Sequence, residues 1–497
     1  MNRLLRLVVL AAAPWPLAYA CSKPQLARAY PRVTAIRAAY LLAYLAAAAA
    51  CAVFAPVVLV PFAVIALAGT LAGLWLMRPG AGGSQRLPPG SLSLVPVRQF
   101  VDEDFLARQA DRVGPVTKTT WPTLDQPVVC VYGLRRAADL LRDDAASLRG
   151  VGIAFDPLIP AGFLRNMEPD DHGHYKRLFE RALTDDLVEA RRPDLEAAAA
   201  EALAAMAATN GNGTDPRPHL LRATVTAFVP LLLGIEHASP EGRRAAEIYD
   251  AMGEFLEFRA DDSEEGRRYR AIVTELEAIL RHGAAQALDA LAAGREPMPS
   301  VVSAIARADP EVLDDRNVTG NLVLVLRTAS VDVASLLHWI LKMLGDHPEW
   351  YLRVREDASG DLARRVVLET LRLHQSEFIQ RRVLEPVEVE GHTVPAGWFV
   401  RLCVRESHRD PEVFADPASF DPDRFAGRRL SRYEYSPFGR LEHRCIGETL
   451  TLALAGSFVS ELARGYDWTV VRDGPPEFNR YHWRPSSRFR VRLEPRV

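Results

Sequence analysis

The chain has 497 residues, 48% hydrophobic and 25% charged, with a formal net charge of -3. That is globular composition with enough apolar side chains for a large core, and the charge balance argues against a nucleic-acid binder. The five cysteines, Cys21, Cys51, Cys130, Cys403 and Cys445, contain no C-x-x-C pair, which argues against a disulfide framework or structural zinc site and suits a reducing compartment.

The N-terminal stretch is basic. No Asp or Glu precedes Asp102, while eight Lys or Arg fall at or before Arg86, so the remainder carries a formal charge of about -11. Ala38 to Met77 is a run of 40 residues without a charge, about twice the length one membrane-spanning helix needs. Pro56 and Pro61 interrupt it, which predicts a helical hairpin over about 38–55 and 57–77 inside a membrane-anchor region, 1–77. Basic residues flank both ends, which predicts that both ends, with the body that follows, face the cytoplasm. One tilted helix plus an interfacial piece is the alternative. A shorter apolar stretch from Leu4 to Cys21, broken by Pro14 and Pro16, reads as a signal-peptide core or a shallow anchor.

"RPGAGGSQRLPPGS", 78–91, is a Gly/Pro linker that Pro88-Pro89 stiffens. The body, 92–497, reads as mainly helical with small sheets. "DLEAAAAEALAAMAA" (194–208) and "AIVTELEAILRHGAAQALDALAA" (271–293) combine strong helix formers with apolar residues every three to four positions. "VEVEGHTVPAG" (387–397) and "FRVRLEP" (489–495) alternate as strands do.

Chemistry concentrates toward the C-terminus. "ETLR" sets Glu369 and Arg372 at i,i+3, on one helix face. "HRDPEVFADPASFDPDRF" follows and supplies Arg424. "SPFGRLEHRCIGE", 436–448, then holds Cys445 just before the helical pattern "IGETLTLALAGSFVSELARGY". Three readings of Cys445 compete: a small buried residue, a nucleophile, and a metal or haem ligand. A helix N-terminus with His443 and Arg444 beside it stabilises a thiolate, and Gly447 lets the backbone pass close to a flat group, which favours the third reading.

This loop resembles the haem-binding signature of the cytochrome P450 family, F-G-x-G-x-H-x-C-x-G. Phe438, Gly439, His443, Cys445 and Gly447 match, while Leu441 stands where the family has its second glycine. The resemblance covers about residue 87 to the C-terminus. It implies a P450 fold, haem b (iron protoporphyrin IX) as cofactor, Cys445 as axial iron ligand, and Glu369, Arg372 and Arg424 as a structural triad. It also implies that His443, Arg381, His172 and Lys176 meet the haem propionates, with Arg382 a near-equal candidate to Arg381.

The family's distal helix carries an acid followed by a threonine. Aligned through its Leu-Leu-x-Trp end, "NLVLVLRTASVDVASLLHWIL" places Val331 and Asp332 there, and a shift by one gives Asp332 and Val333. Neither register restores the pair. Thr328, Asp332 and Ser335 share one face by i,i+4 and i,i+3 spacing, so Asp332, with Thr328, is the candidate proton relay. Asp332 as a helix kink cap or structural-water ligand is the other reading. Arg428, Arg429, Arg432, Arg440 and Arg444 offer a docking patch for a separate ferredoxin or reductase. The implied activity is O2-dependent monooxygenation of a lipophilic small molecule at a membrane. The alternatives are a peroxide-using or rearranging/dehydrating haem-thiolate enzyme, in which Arg327 pairs with a substrate carboxylate, or a catalytically degenerate haem-binding sensor.

Overall fold

The computed structural model describes residues 87–90, 102–121, 126–150, 159–209, 211–252, 263–374, 379–479 and 482–496, with scattered residues between 39 and 64. The expected signal-like stretch and most of the expected hairpin lie outside the described residues. The described Leu42, Leu45, Val53, Val57 and Val64 present exposed apolar side chains. Among the described residues one helix, Arg316–Asp346, is long and apolar enough to cross a membrane, and 67% of its apolar window is buried inside the protein.

In chain order the first elements are α1 (Phe105–Val113), β1 (Val116–Trp121), β2 (Gln126–Val131), α2 (Leu134–Asp143) and β3 (Leu148–Gly150). Helices follow: α3 (Pro169–Ala182), α4 (Asp185–Ala190), α5 (Arg192–Ala208), α6 (Pro216–Leu233), α7 (Pro240–Met252), α8 (Glu264–Ala292), α9 (Val301–Ala308), α10 (Arg316–Asp346), α11 (Pro348–Glu356) and α12 (Asp361–His374). Then come β4 (Ile379–Val383), β5 (Val387–Val389), β6 (His392–Val394), β7 (Phe399–Leu402) and α13 (Val404–Ser407). The chain closes with α14 (Glu448–Gly465), β8 (Tyr466–Arg472), β9 (Glu477–Asn479), β10 (His482–Arg484) and β11 (Arg490–Pro495). The chain divides into two compact units.

One unit takes residues 1–149, 378–413 and 476–484. Its sheet has the order β1-β2-β7-β4-β3, with β2 and β7 parallel and the β1–β2 and β4–β7 pairs antiparallel. One face is made of Val116, Val129, Val131, Val400, Leu402, Ile379 and Val383, packed with Leu134, Ala137 and Leu140 of α2. Strand side chains alternate, so Thr117, Cys130 and Arg401, aligned in register, share the opposite face. Residues at the end of the expected linker are docked on β1. The Lys118 ammonium donates to the Pro88 carbonyl at 2.7 Å, the Lys118 amide to Pro89 at 2.7 Å, and Gly90 bridges Lys118. Gly90 has φ 118°, and a Cβ there would lie 2.3 Å from the Lys118 carbonyl, so close backbone approach requires glycine.

The other unit takes 150–377, 414–475 and 485–497. Its long helix α10 starts at Asp315, whose carboxylate accepts the Asn317 amide at 2.8 Å. α6 is buried nearly all round, as a central core helix must be, and it packs along α10. Thr224 donates to the Ser330 carbonyl at 3.0 Å across that contact. α14 buries Leu450, Leu454, Ala455, Phe458, Val459 and Leu462, one apolar stripe at helical spacing, and packs on α5 and α12. This packing fixes the start of α14, and with it the cysteine loop.

Candidate functional site

Cys445 lies two residues ahead of Gly447, the N-cap of α14. Its amide donates to the Phe438 carbonyl at 2.8 Å, closing the loop. Gly439 has φ 75°, and an added Cβ would sit 3.1 Å from the His443 carbonyl, so this turn needs glycine. At the family's second glycine position Leu441 adopts φ 51°, the left-handed region, with its side chain 51% exposed. The turn geometry thus survives the substitution at the cost of local strain. A Cβ on Gly447 would stand 3.8 Å from the Cys445 sulfur, so glycine leaves that side of the thiol uncovered. Cys445 is exposed, whereas Cys130 and Cys403 are buried.

The loop is tied to a buried ionic cluster. Glu369 and Arg372, both 0% exposed, pair through two charge-assisted bonds, Nε to Oε2 at 2.7 Å and an η nitrogen to Oε1 at 2.8 Å. Arg424 Nε adds a bond to Oε1 at 3.0 Å and the Asp421 amide another at 2.9 Å. The guanidiniums also donate to carbonyls: Arg372 to Pro417 and Ser419, Arg424 to Ala415 and Asp416. Arg372 additionally lies over the Phe414 ring at 5.1 Å. Two residues that the sequence reading passed over complete the link. Tyr435 donates its hydroxyl to the Leu368 carbonyl at 2.7 Å, and Ser436 donates to the Gly439 carbonyl at 2.7 Å. The only sequence signal for them was an aromatic and a hydroxyl immediately before "PFG".

His172 and His443 come together, ring centroids 4.1 Å apart. His172 is 3% exposed, and Lys176, one turn further along α3, is 7% exposed with Glu180 at 3.4 Å. Arg381, on β4 of the other unit, is buried and donates to the Gln380 carbonyl at 2.9 Å. Strand alternation separates it from Arg382, which is exposed. Of the expected docking arginines, Arg440 is buried over the Tyr433 ring at 4.3 Å. Arg432 and Arg444 both pair with Glu448, at 3.0 and 2.8 Å. Arg428 and Arg429 are exposed.

On α10 Asp332 is exposed. The half-buried Thr328 donates to the Leu324 and Val325 carbonyls at 3.0 and 3.2 Å, so its hydroxyl proton is held by its own helix. Ser335, one turn beyond Asp332, is buried and its Oγ has no hydrogen-bond partner among the described residues. Arg327 is 6% exposed and faces the phenols of Tyr249 on α7 and Tyr269 on α8. Burial pushes both phenols well above their ordinary range, and the guanidinium offsets part of that rise.

The donor set fits a haem: an exposed soft thiol on a helix N-terminus, glycine beside the sulfur, and the buried His172 and Lys176 grouped with the half-buried His443 as partners for carboxylates. Fold and site define a haem-thiolate oxidoreductase. Residues 104–487 match the sequence profile of the family described as Cytochrome P450, and the chain belongs to that family. Similar proteins include abscisic acid 8'-hydroxylase 3 of Oryza sativa subsp. indica, 27% identical over 435 residues that cover 78% of this chain and 82% of that protein. Another is the cyclooctat-9-en-7-ol 5-monooxygenase of Streptomyces melanosporofaciens, 33% identical over 186 residues, 33% of this chain and 40% of that one. Among solved structures, a retinoic-acid-bound cyanobacterial relative matches with TM-score 0.63 at 21% identity, covering 81% of this chain and 96% of that one. A Bacillus megaterium protein in complex with corticosterone matches with TM-score 0.62 at 19% identity, covering 80% and 99%. The chain is an oxygen-incorporating oxidoreductase acting on a lipophilic molecule.

Proposed function

We propose that this chain is a membrane-anchored monooxygenase that holds haem b through Cys445, and the exposed Cys445 thiol at the start of α14 is the observation that carries this reading. Bound haem supplies dioxygen activation, and a thiolate ligand favours O–O cleavage. The chain's part is to hold and orient. The α14 N-terminus stabilises the sulfur as thiolate. His443, His172 and Lys176, all of one unit, meet the propionates. Asp332, exposed on α10, delivers protons, with Ser335 as its neighbour one turn along. Thr328 contributes less, because its proton is already donated to the backbone.

Electrons arrive from a separate ferredoxin or reductase. Of the expected docking arginines, Arg428, Arg429 and Arg444 are exposed, with Arg432 and Arg444 sharing Glu448. The uncharged run from Ala38 to Met77 supports the anchor as a hairpin. Relatives named for abscisic acid and for cyclooctat-9-en-7-ol support a lipophilic substrate.

Two measurements test the reading. Reduced, carbon-monoxide-treated protein should show the far-red-shifted Soret band of thiolate ligation, and Cys445→His should lose it. A wild-type spectrum without that band removes Cys445 as ligand. Product formed per electron consumed should then fall in Asp332→Ala, about tenfold or more for a lost proton-delivery group. Unchanged coupling removes Asp332 from the relay.

A further inference from the structure

We propose that the cavity between α5 and α6 is a binding site for a neutral, mostly apolar small molecule carrying one hydroxyl or carbonyl oxygen. The cavity has a volume of about 560 Å³, and its lining comes from α5, α6 and the turn that joins them. No lining residue belongs to the cysteine loop, the Glu369 cluster or α10, so this is a second site and not part of the one described above. Small-molecule sites enclose about 300–1,000 Å³ behind mostly apolar walls with a few placed polar groups.

The sequence makes the space. The alanines of "DLEAAAAEALAAMAA" favour a helix, and they also leave much of one face with methyl groups only. Ala198, Ala202 and Ala205 fall on one face of α5 by i,i+4,i+7 spacing, and all three line the cavity. His219, Ala223 and Thr226 of α6 repeat that spacing and line it from the other side. Packed helix axes stand about 8–10 Å apart. Methyl groups facing methyl groups do not fill such a gap, so the pair encloses a void where leucines would interlock.

Two observations define the occupant. Thr226 is the one polar lining residue that is buried, at 9% exposed, and its Oγ1 has no hydrogen-bond partner among the described residues. Buried hydroxyls are normally paired, because an unpaired one is costly. An oxygen on the ligand supplies that partner. The charged lining residues are two carboxylates, Glu201 and Asp215, and two guanidiniums, Arg217 and Arg222, so the lining has no net formal charge. Asp215 is already engaged, accepting from Arg217 Nε at 3.0 Å with Arg490 at 3.7 Å. Burial holds the His219 imidazole below its ordinary pKa, against the pull of Asp215, which leaves it neutral at pH 7. An ion would enter without a counter-charge to receive it, whereas a neutral molecule loses nothing. Thr226 and His219 stand two turns apart on α6, about 10 Å along its axis, a run that suits an eight-carbon chain.

The test photolyses full-length, haem-loaded protein with an eight-carbon alcohol that carries a diazirine, then maps the adducts by peptide mass spectrometry. The matching eight-carbon alkane diazirine, without the hydroxyl, is the control. The expected result is saturable labelling of peptides from α5 and α6 that octan-1-ol competes away and that the alkane gives at least threefold more weakly. Ala202→Leu, which fills the cavity, should abolish those adducts and leave labelling elsewhere in place. Thr226→Val keeps the shape, loses the hydroxyl, and should raise the half-saturating concentration about three- to tenfold, as for one neutral hydrogen bond. Absence of saturable labelling on α5 and α6, equal labelling by alkane and alcohol, or labelling unchanged in Ala202→Leu overturns the proposal. The wild-type saturation, competition and alkane control decide by themselves, so a poorly folded Ala202→Leu does not blunt the test.

Discussion

Leu441 holds a backbone conformation that glycine adopts at no steric cost. With φ 51° it carries the left-handed strain of a side chain, about 1–2 kcal/mol. Its side chain is half in solvent, so little packing is lost on removing it. Glycine gives back part of the gain as unfolded-chain entropy, roughly 0.5–1 kcal/mol. Leu441→Gly should therefore stabilise the protein by up to about 1 kcal/mol, and Leu441→Val, branched at Cβ, should destabilise it by a similar amount. Thermal melts of both haem-loaded variants check this, and a lower melting temperature for Leu441→Gly would show that the Leu side chain packs usefully. At this scale the sequence was legible where a residue type carries the chemistry. A lone thiol before a helix, flanked by glycines, needs no tertiary knowledge. It was illegible where backbone geometry decides: that leucine takes a glycine conformation at 441 depends on the loop closed by Cys445 and Phe438. Arg381 and Arg382 were indistinguishable as letters, and only the phase of β4 put one in the core face and the other in solvent.

Helix α12 is where a local pattern met partners from far along the chain. The i,i+3 spacing of Glu369 and Arg372 was readable as a shared face. A surface salt bridge of that kind contributes about 0–1 kcal/mol. Burial to 0% changes the magnitude, because each charge must be matched inside the protein. Glu369 accepts from Arg372, Arg424 and the Asp421 amide, and Arg372 donates onward to Pro417 and Ser419 carbonyls some 45 residues away. No sequence pattern marks those carbonyls, since every residue has one. Glu369→Gln keeps the shape and removes the charge facing two buried guanidiniums. It should cost about 3–5 kcal/mol, and Arg372→Lys should cost nearly as much because an ammonium cannot fork to two oxygens. Both variants should also lose haem, since Tyr435 ties the segment before the cysteine loop to Leu368, the neighbour of Glu369, and Ser436 ties that segment to Gly439. Urea unfolding with haem retention as a second readout checks this. Surface-like losses below 1 kcal/mol would mean that the cluster is solvated in solution. The distal helix shows the opposite limit. Its length and apolar spacing were plain, yet which groups face a proton path was not, because Thr328 spends its hydroxyl on its own helix.

For the whole molecule, the question is where the folded body begins. Composition places a boundary in "RPGAGGSQRLPPGS", because Gly, Pro and Ser without an apolar period cannot make a core. The structure puts Pro88 to Gly90 against β1, with the buried Lys118 donating its ammonium proton to the Pro88 carbonyl. Burial already lowers the Lys118 pKa, so that carbonyl is one of the groups that make the charged form tolerable there. A body cut to start at Leu87 keeps this bond, and one cut to start at Leu92 removes it. Hydrogen bonds to charged groups are worth about 1.5–3 kcal/mol, and the shorter body also strips the Pro89 carbonyl from the Lys118 amide. The Leu92 body should thus be less stable than the Leu87 body by about 2–4 kcal/mol. Lys118→Met in the Leu92 body should recover most of the difference, because the orphaned charge is gone. The proposed anchor predicts that the full chain sediments with membranes and that both bodies do not, because each lacks the uncharged run from Ala38 to Met77. Equal unfolding midpoints for the two bodies would show that Pro88 and Pro89 merely lie on β1. Retention of the Leu87 body on membranes would place the anchor beyond the leader.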